Sequence, residues 1–301
     1  MRSDFIILYH GREGSSPIID SLSRHRSIYV PVFEDLDEAN YLATSGRDRC
    51  SLTRVFTALF SRNGSKFLSG QLPDFSPEQC AVANAVGFKW RLWGDAGALS
   101  QVFEEGVVTL FVLLRRREVD RSFSEYFTNQ VLDGRLGFEK DQAGNIHPQF
   151  RLAGASPEQY QEYIDRMRQL RFEIEPQRIA NMLKTSVRRK REFLTRLSDY
   201  VRVGTEVRIL YYEDFVANRR RFFADFLSIL DLPFDDAVLD SRGRKASPDF
   251  REVVENYDQV LESEAVVRAG RDWGAVMGEF HQFAASRSGN TLLQNTSRSP
   301  R

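Results

Sequence analysis

The chain has 301 residues, 42% hydrophobic and 28% charged, which is enough apolar surface for a full α/β core. Its 42 basic and 42 acidic residues cancel, and this balance argues against nucleic acid as a bulk electrostatic partner. Only two cysteines occur, Cys50 and Cys80, so there is no disulfide framework and no metal-ligand spacing, and the expected compartment is reducing.

In chain order, the apolar run Phe5-Ile6-Ile7-Leu8-Tyr9 passes directly into Gly11-Arg12-Glu13-Gly14-Ser15-Ser16 and then into the periodic positions Ile18, Ile19 and Leu22. That order reads as strand, loop, helix. A glycine- and serine-rich turn at a helix N-terminus gathers backbone N–H groups and the positive end of the helix dipole at one spot, which suits an anionic ester. Arg12 adds a full charge beside it. The loop is not that of a nucleoside triphosphatase, because Gly14 is followed by Ser15, Ser16 and Pro17 and lacks the Gly-Lys-Ser/Thr ending. Nor is it the dinucleotide fingerprint, since Gly11 and Gly14 are the only glycines in the turn. Taken alone, it is equally an ordinary strand-to-helix turn. The apolar run is too short for a secretory signal, and no stretch reaches the length of a membrane span, so a cytoplasmic location is expected.

A second strand is expected at Ser27-Ile28-Tyr29-Val30, with the acidic positions Glu34, Asp35 and Asp37 beyond it. Leu52, Val55, Phe56, Leu59 and Phe60 recur at helical spacing. The eight-residue run Val107-Val108-Thr109-Leu110-Phe111-Val112-Leu113-Leu114 predicts a buried strand that ends on Arg115, Arg116 and Arg117, and Ser124 follows Arg116 by eight positions. Residues 134–157, with Gly144, Pro148 and Gly154, read as a loop or short hairpin, and His147 within it reads as a surface residue. A long helix is predicted by Ile179, Met182, Leu183, Ser186 or Val187, Lys190 and Leu194; the basic run Arg188-Arg189-Lys190-Arg191 inside it reads as a solvated face. The segment Val207-Arg208-Ile209-Leu210-Tyr211-Tyr212-Glu213-Asp214-Phe215 predicts a late strand, and Phe222, Phe223, Phe226, Leu227 and Leu230 predict the helix after it.

Strands alternating with helices imply an α/β, P-loop-like three-layer fold, with a central parallel sheet flanked by helices and ligands bound at the carboxyl ends of the strands. One domain over residues 1–283 is expected, with 284–301 as a disordered tail. The tail string Ser286-Arg287-Ser288-Gly289-Asn290-Thr291 has the letters of a phosphate loop but no strand before it, and reads as a decoy.

The loop after the first strand, the Arg116…Ser124 pair and the strand ending in Tyr212-Glu213-Asp214 together resemble sulfotransferases that use 3′-phosphoadenylyl sulfate (PAPS). Gly87-Phe88-Lys89 and Val254-Glu255-Asn256-Tyr257-Asp258 also look like bacterial members of that family, including those acting on carbohydrate and lipid acceptors. The resemblance spans residues 4–275. It implies that Arg12, Gly14, Ser15 and Ser16 bind the 5′-phosphosulfate, that Arg116 and Ser124 hold the 3′-phosphate, and that Tyr212 lies near the adenine. It further implies a catalytic charge at Arg12, a general base at Glu34 with Asp35 and Asp37 as competitors, and no metal. The acceptor would be a hydroxyl or amine of a small molecule, carbohydrate or lipid. The late basic residues Arg242, Arg244 and Lys245 are a further candidate for the 3′-phosphate.

Glu13 departs from the family pattern, which has Ser or Thr there. A carboxylate beside a dianionic donor is unfavourable, so Glu13 is expected to face outward, or to pair with Arg12, or to mark a loop that has lost its donor. The last case corresponds to a noncatalytic relative that binds a nucleotide or a partner. A small-molecule kinase is the other enzyme alternative, and the missing Gly-Lys-Ser/Thr counts against it.

Overall fold

The computed structural model describes residues 3–11, 13–31, 48–72, 75–91, 108–128, 156–240 and 248–288. Arg12, Glu34, Asp35, Asp37, His147, Arg242, Arg244 and Lys245 therefore lie outside the described residues.

The first half of the chain runs β1 (Asp4–Tyr9), α1 (Ser15–Leu22), β2 (Ile28–Tyr29), α2 (Arg49–Ser61), α3 (Ser65–Gln71), α4 (Pro77–Val82), β3 (Ala85–Arg91), β4 (Val108–Leu114) and α5 (Glu118–Tyr126). It continues with α6 (Pro157–Arg168), α7 (Pro176–Tyr200), β5 (Val207–Tyr211), α8 (Tyr212–Ala217), α9 (Arg219–Ile229), α10 (Phe250–Val253), α11 (Tyr257–Glu262) and α12 (Glu264–Arg287). The strands form one sheet in the order β2-β3-β1-β4-β5, and every pairing is parallel. A parallel strand is covered on both faces, which is why β1 and β4 read as unbroken apolar runs.

β1 divides its side chains between two cores. Ile6 and Leu8 face α2, α7 and α12, joining Phe56, Leu183 and Phe280. Phe5 and Ile7 face α1, α8 and α9, joining Ile18, Phe215 and Phe226. Helices on both faces give the expected three layers. A third cluster, Phe123 and Phe127 with Ile179, Tyr257 and Val260, fastens α5 to α7 and α11. At the N-terminal edge of the sheet, Asp4 is buried with Arg62, whose two terminal nitrogens donate to it at 2.5 and 2.6 Å.

Several elements depart from expectation. β3 is a full strand beside β1, although Gly87, Lys89 and Arg91 alternate with Val86, Phe88 and Trp90 and so break the continuous apolar run that marks β1 and β4. β5 stops at Tyr211, and Tyr212-Glu213-Asp214 forms the first turn of α8 instead of a strand end. Helix α12 runs past the expected boundary at 283, with Ala284 buried and the helix ending at Arg287. The Ser288 hydroxyl then accepts from the Val207 N–H and donates to the Val207 carbonyl, both at 3.1 Å, tying the end of α12 to β5. Ser286 and Arg287 thus close a helix, where a phosphate loop would open one. The Val254–Asp258 stretch is bonded to the segment before α7, where the Asn256 side chain accepts from Ile174 N at 3.0 Å and donates to Ile174 O at 2.9 Å.

Gly87 sits opposite Phe5 across the β1–β3 ladder, and a Cβ built there would lie 2.1 Å from Phe5 Cζ. The ring uses the space that a side chain would need. Gly87→Ala is expected to lower stability by about 1–3 kcal/mol through overpacking, read from urea unfolding; an unchanged midpoint would mean that the ring moves aside at no cost.

Candidate functional site

The chain leaves β1 through α1 toward β2, returns along β3, and then crosses to β4 on the other side of β1. The connections therefore diverge at the carboxyl end of β1, which is where open parallel sheets bind ligands. Because Leu8 and Val112 are register partners, the loop after β1 and the loop after β4 emerge side by side.

Gly14 closes the first loop in the left-handed region, with φ of 83°, and serves as the N-cap of α1 without a side-chain cap. Only glycine fits there, for two reasons. The backbone angle disfavours any L side chain, and a Cβ would stand 2.1 Å from Cε2 of the Tyr212 ring. Ser15 and Ser16 follow as the first two residues of α1, and Ser15 is buried. Lys89, 3% exposed, reaches the same turn from β3 and donates from Nζ to Ser16 Oγ at 2.7 Å. A buried ammonium and a helix N-terminus thus meet on one face of the sheet. Lys89 was visible in the sequence only as part of Gly87-Phe88-Lys89; its role depends on β3 lying next to β1, which short-range pattern does not show.

Tyr212 covers Gly14, and the Arg115 guanidinium lies over the Tyr212 ring at 4.1 Å. Arg116 points to the neighbouring ring instead, 4.1 Å from the centroid of Tyr211, and its fork is bonded to Asp214 at 2.5 and 2.8 Å. That side chain is about half exposed, at 46%. The Arg116 and Arg117 N–H groups donate to Glu213 at 3.0 and 3.3 Å, so the first turn of α8 holds the loop after β4 by both its carboxylates. Ser124 lies on α5, partly buried, and its carbonyl accepts from Thr128 Oγ1 at 2.8 Å.

Glu13 is turned into the protein. Its carboxylate is 0% exposed, lies 2.5 Å from Lys190 Nζ and accepts from His10 N at 2.6 Å. The expectation of an outward-facing spacer is corrected: a carboxylate in the interior requires a partner, and Lys190 provides it. The reading of residues 188–191 as a solvated face is corrected for Lys190, which is fully buried while Arg188 and Arg191 are exposed. Its position on the apolar stripe of α7, with Leu183 and Leu194, was the signal available in the sequence.

Lys190 also donates to Glu118 Oε2 at 2.7 Å, and Glu118 accepts further hydrogen bonds from Arg121 Nε and Ser186 Oγ. Arg121 reaches on to Glu125 at 2.8 Å. Burial opposes ionisation of Glu118, but the charges of Lys190 and Arg121 overcome it and bring its carboxyl down to about 2. For Glu13, burial prevails over Lys190, and the neighbouring Glu118 charge adds to the rise, so its carboxyl titrates above the usual range. Burial and then Lys190 push the His10 imidazole down to about 3, leaving it neutral. Among the described residues, no group of three or more histidine, cysteine or carboxylate side chains is placed to hold a metal ion.

No protein-family model matches the chain, and no curated protein matches its sequence. Solved structures do. A sulfotransferase from Alicyclobacillus acidocaldarius aligns with a TM-score of 0.44 at 18% identity, over 94% of this chain and 96% of that one. A sulfotransferase domain from the curacin biosynthetic pathway gives 0.42 at 13% identity, over 97% and 99%. A sulfotransferase domain from the Synechococcus PCC 7002 olefin synthase gives 0.36 at 14% identity, over 97% and 96%.

The two depressed groups set an acid limit on stability. The unfolded chain protonates His10 from its ordinary 6.5 and Glu118 from 4.5, whereas the folded chain resists protonation until about 3 and about 2 respectively. Protons therefore favour unfolding, and the stability present above each unfolded value is lost as the pH falls, with a limiting slope of about 1.4 kcal/mol per pH unit for each group. Denaturant midpoints measured from pH 7 to pH 2 should decline in two stages. His10→Gln should flatten the upper stage and Glu118→Gln the lower; a profile unchanged by either variant would contradict the assignment.

Proposed function

We propose that the chain is a sulfotransferase that moves a sulfuryl group from PAPS to a hydroxyl or amine of a small-molecule, carbohydrate or lipid acceptor. The observation that carries this reading is the turn at Gly14: a left-handed glycine opening α1 at the end of the central strand, with the buried Lys89 ammonium bonded to Ser16. A helix N-terminus with a cation beside it suits an anionic group. The strand-end residues quoted from the sequence supply the rest of the reading.

In this reading Ser15 and Ser16 offer backbone N–H groups and hydroxyls to the 5′-phosphosulfate, and Lys89 and Arg12 neutralise the charge that grows on the bridging oxygen as the bond to sulfur breaks. Glu34 takes the proton of the acceptor as its oxygen or nitrogen bonds to sulfur, and adenosine 3′,5′-bisphosphate leaves. Arg116 is well shaped for the 3′-phosphate, with Ser124 as hydrogen-bond donor, provided that the phosphate replaces Asp214 on the guanidinium. Exposed ion pairs of this kind are worth about 0–1 kcal/mol, so a dianion competes effectively for the fork. Tyr212, with the Arg115 guanidinium 4.1 Å from its ring centroid, offers an aromatic and cationic surface beside the loop that suits an adenine ring. Glu13, the feature that favoured a noncatalytic relative, has its carboxylate paired in the interior, which removes the electrostatic objection to a dianion at the loop.

Among the described residues, no helix is long and apolar enough to cross a membrane. A cytoplasmic location follows from the proposed donor, which is made in the cytosol.

Calorimetric titration with adenosine 3′,5′-bisphosphate, beside 5′-AMP, ADP and ATP without magnesium, tests the reading. Micromolar binding that requires the 3′-phosphate is expected, and Arg116→Ala should weaken it by about tenfold or more, the worth of a charge-assisted hydrogen-bond pair. Equal affinity for 5′-AMP and the bisphosphate, or an Arg116→Ala variant that binds as the native chain does, would contradict it.

A further inference from the structure

The buried side chains beneath the loop connect the two elements that the donor reading assigns to opposite ends of the ligand. From the loop after β1, Glu13 is paired with Lys190 Nζ at 2.5 Å. From the other element, Glu118, the first residue of α5, is paired with the same nitrogen at 2.7 Å. The helix that Glu118 opens is the one that carries Ser124. The ammonium also lies 4.7 Å from the centroid of the Trp273 ring. Trp273 Nε1 in turn donates to the Arg115 and Arg116 carbonyls at 3.0 and 3.2 Å, so the loop after β4 is reached by a second route.

All four groups sit in the interior: Glu13 and Lys190 are 0% exposed, Glu118 1% and Trp273 3%. At this depth the contacts are not screened by solvent, and moving one member leaves an unpaired charge in the core. Lys190 comes from α7, which contributes to neither loop. It therefore acts as a common floor under both.

We infer that Lys190 is a positioning residue that fixes the spacing between the loop after β1 and the α5 element, so that a nucleotide carrying phosphate at two ends is held as one chelate. The inference rests on the donor reading above. It assigns a use to the carboxylate at position 13: Glu13 does not meet the donor but holds the loop at a set distance from the element that binds the other phosphate. When two sites are held at the right separation, engaging the second costs little further loss of freedom, so affinity for the bisphosphate exceeds what either monophosphate achieves. If the floor is loosened, each site still binds its own phosphate while the advantage of joining them falls.

The test compares adenosine 3′,5′-bisphosphate, 5′-AMP and adenosine 3′-phosphate by calorimetry on the native chain, Lys190→Met and Glu13→Gln. Lys190→Met strands the buried Glu13 carboxylate and leaves Glu118 to Arg121 and Ser186, so Glu13→Gln, which keeps the shape and removes one charge, decides the matter alone where the first variant gives no cooperative unfolding transition. The expected result is a fall of about tenfold in the preference for the bisphosphate over the better monophosphate in Lys190→Met, and of about fivefold in Glu13→Gln. Each monophosphate should keep its affinity to within about twofold, since its own contacts are intact. A preference unchanged in the folded variants overturns the inference. So does a parallel loss of affinity for all three ligands, which is what a merely structural role produces. A native chain that binds the bisphosphate no better than 5′-AMP overturns the donor reading itself, and the inference falls with it.

Discussion

The ammonium of Lys190 is the charge on which the site is built. Burying an ion of that size costs several kcal/mol, and the cost is offset only where partners complete its coordination. Here the partners are two carboxylates and an aromatic face, contributed by the loop after β1, by α5 and by α12. Each would be a liability without the others. Glu13 without Lys190 would be an uncompensated buried anion beside the proposed anion site, and loss of Glu118 would leave Arg121 and Ser186 without their shared acceptor. Together they lock three separate stretches of sequence beneath the carboxyl ends of the strands.

Around the loop after β1 the arrangement separates charge by sign. Carboxylates are drawn inward to Lys190, while Lys89 and the turn at Gly14 present positive potential at the strand ends. The neutral state of His10 belongs to the same pattern, because burial opposes its charge and the Lys190 ammonium repels a second cation. Tyr212 joins this layer to the sheet: its ring occupies the space that any side chain at position 14 would need, and the Arg115 guanidinium lies 4.1 Å from its centroid.

Much of this was legible in the sequence, and the exceptions have physical causes. β1 and β4 announced themselves because strands covered on both faces are apolar throughout, and the glycine loop because Gly11, Gly14, Ser15 and Ser16 cluster directly between an apolar run and a periodic stretch. β3 was obscured because Gly87 yields its volume to Phe5 and because Lys89 and Arg91 emerge near the carboxyl end of the strand. The boundary at Tyr211 was obscured because an aromatic pair suits a strand as well as the first turn of a helix. Lys190 was hidden by its neighbours: in a run of four basic residues, the one on the apolar stripe of α7 is distinguished only by periodicity, and its partners lie 177 and 72 positions earlier, by subtraction of 13 and 118 from 190. Long-range pairing of this kind has no local signature. Glu13 was misjudged for the same reason, since the sequence shows that a charge is present but not which way it faces.

The central claim is that the loop after β1 and the loop after β4 respond to one ligand as a unit. Backbone amide resonances of the isotopically labelled chain, followed while adenosine 3′,5′-bisphosphate is added, test it directly. The account predicts that Gly14, Ser15 and Ser16 shift together with residues 115–117 along one saturation curve. Shifts confined to one of the two loops, or two curves with separate midpoints, would contradict it.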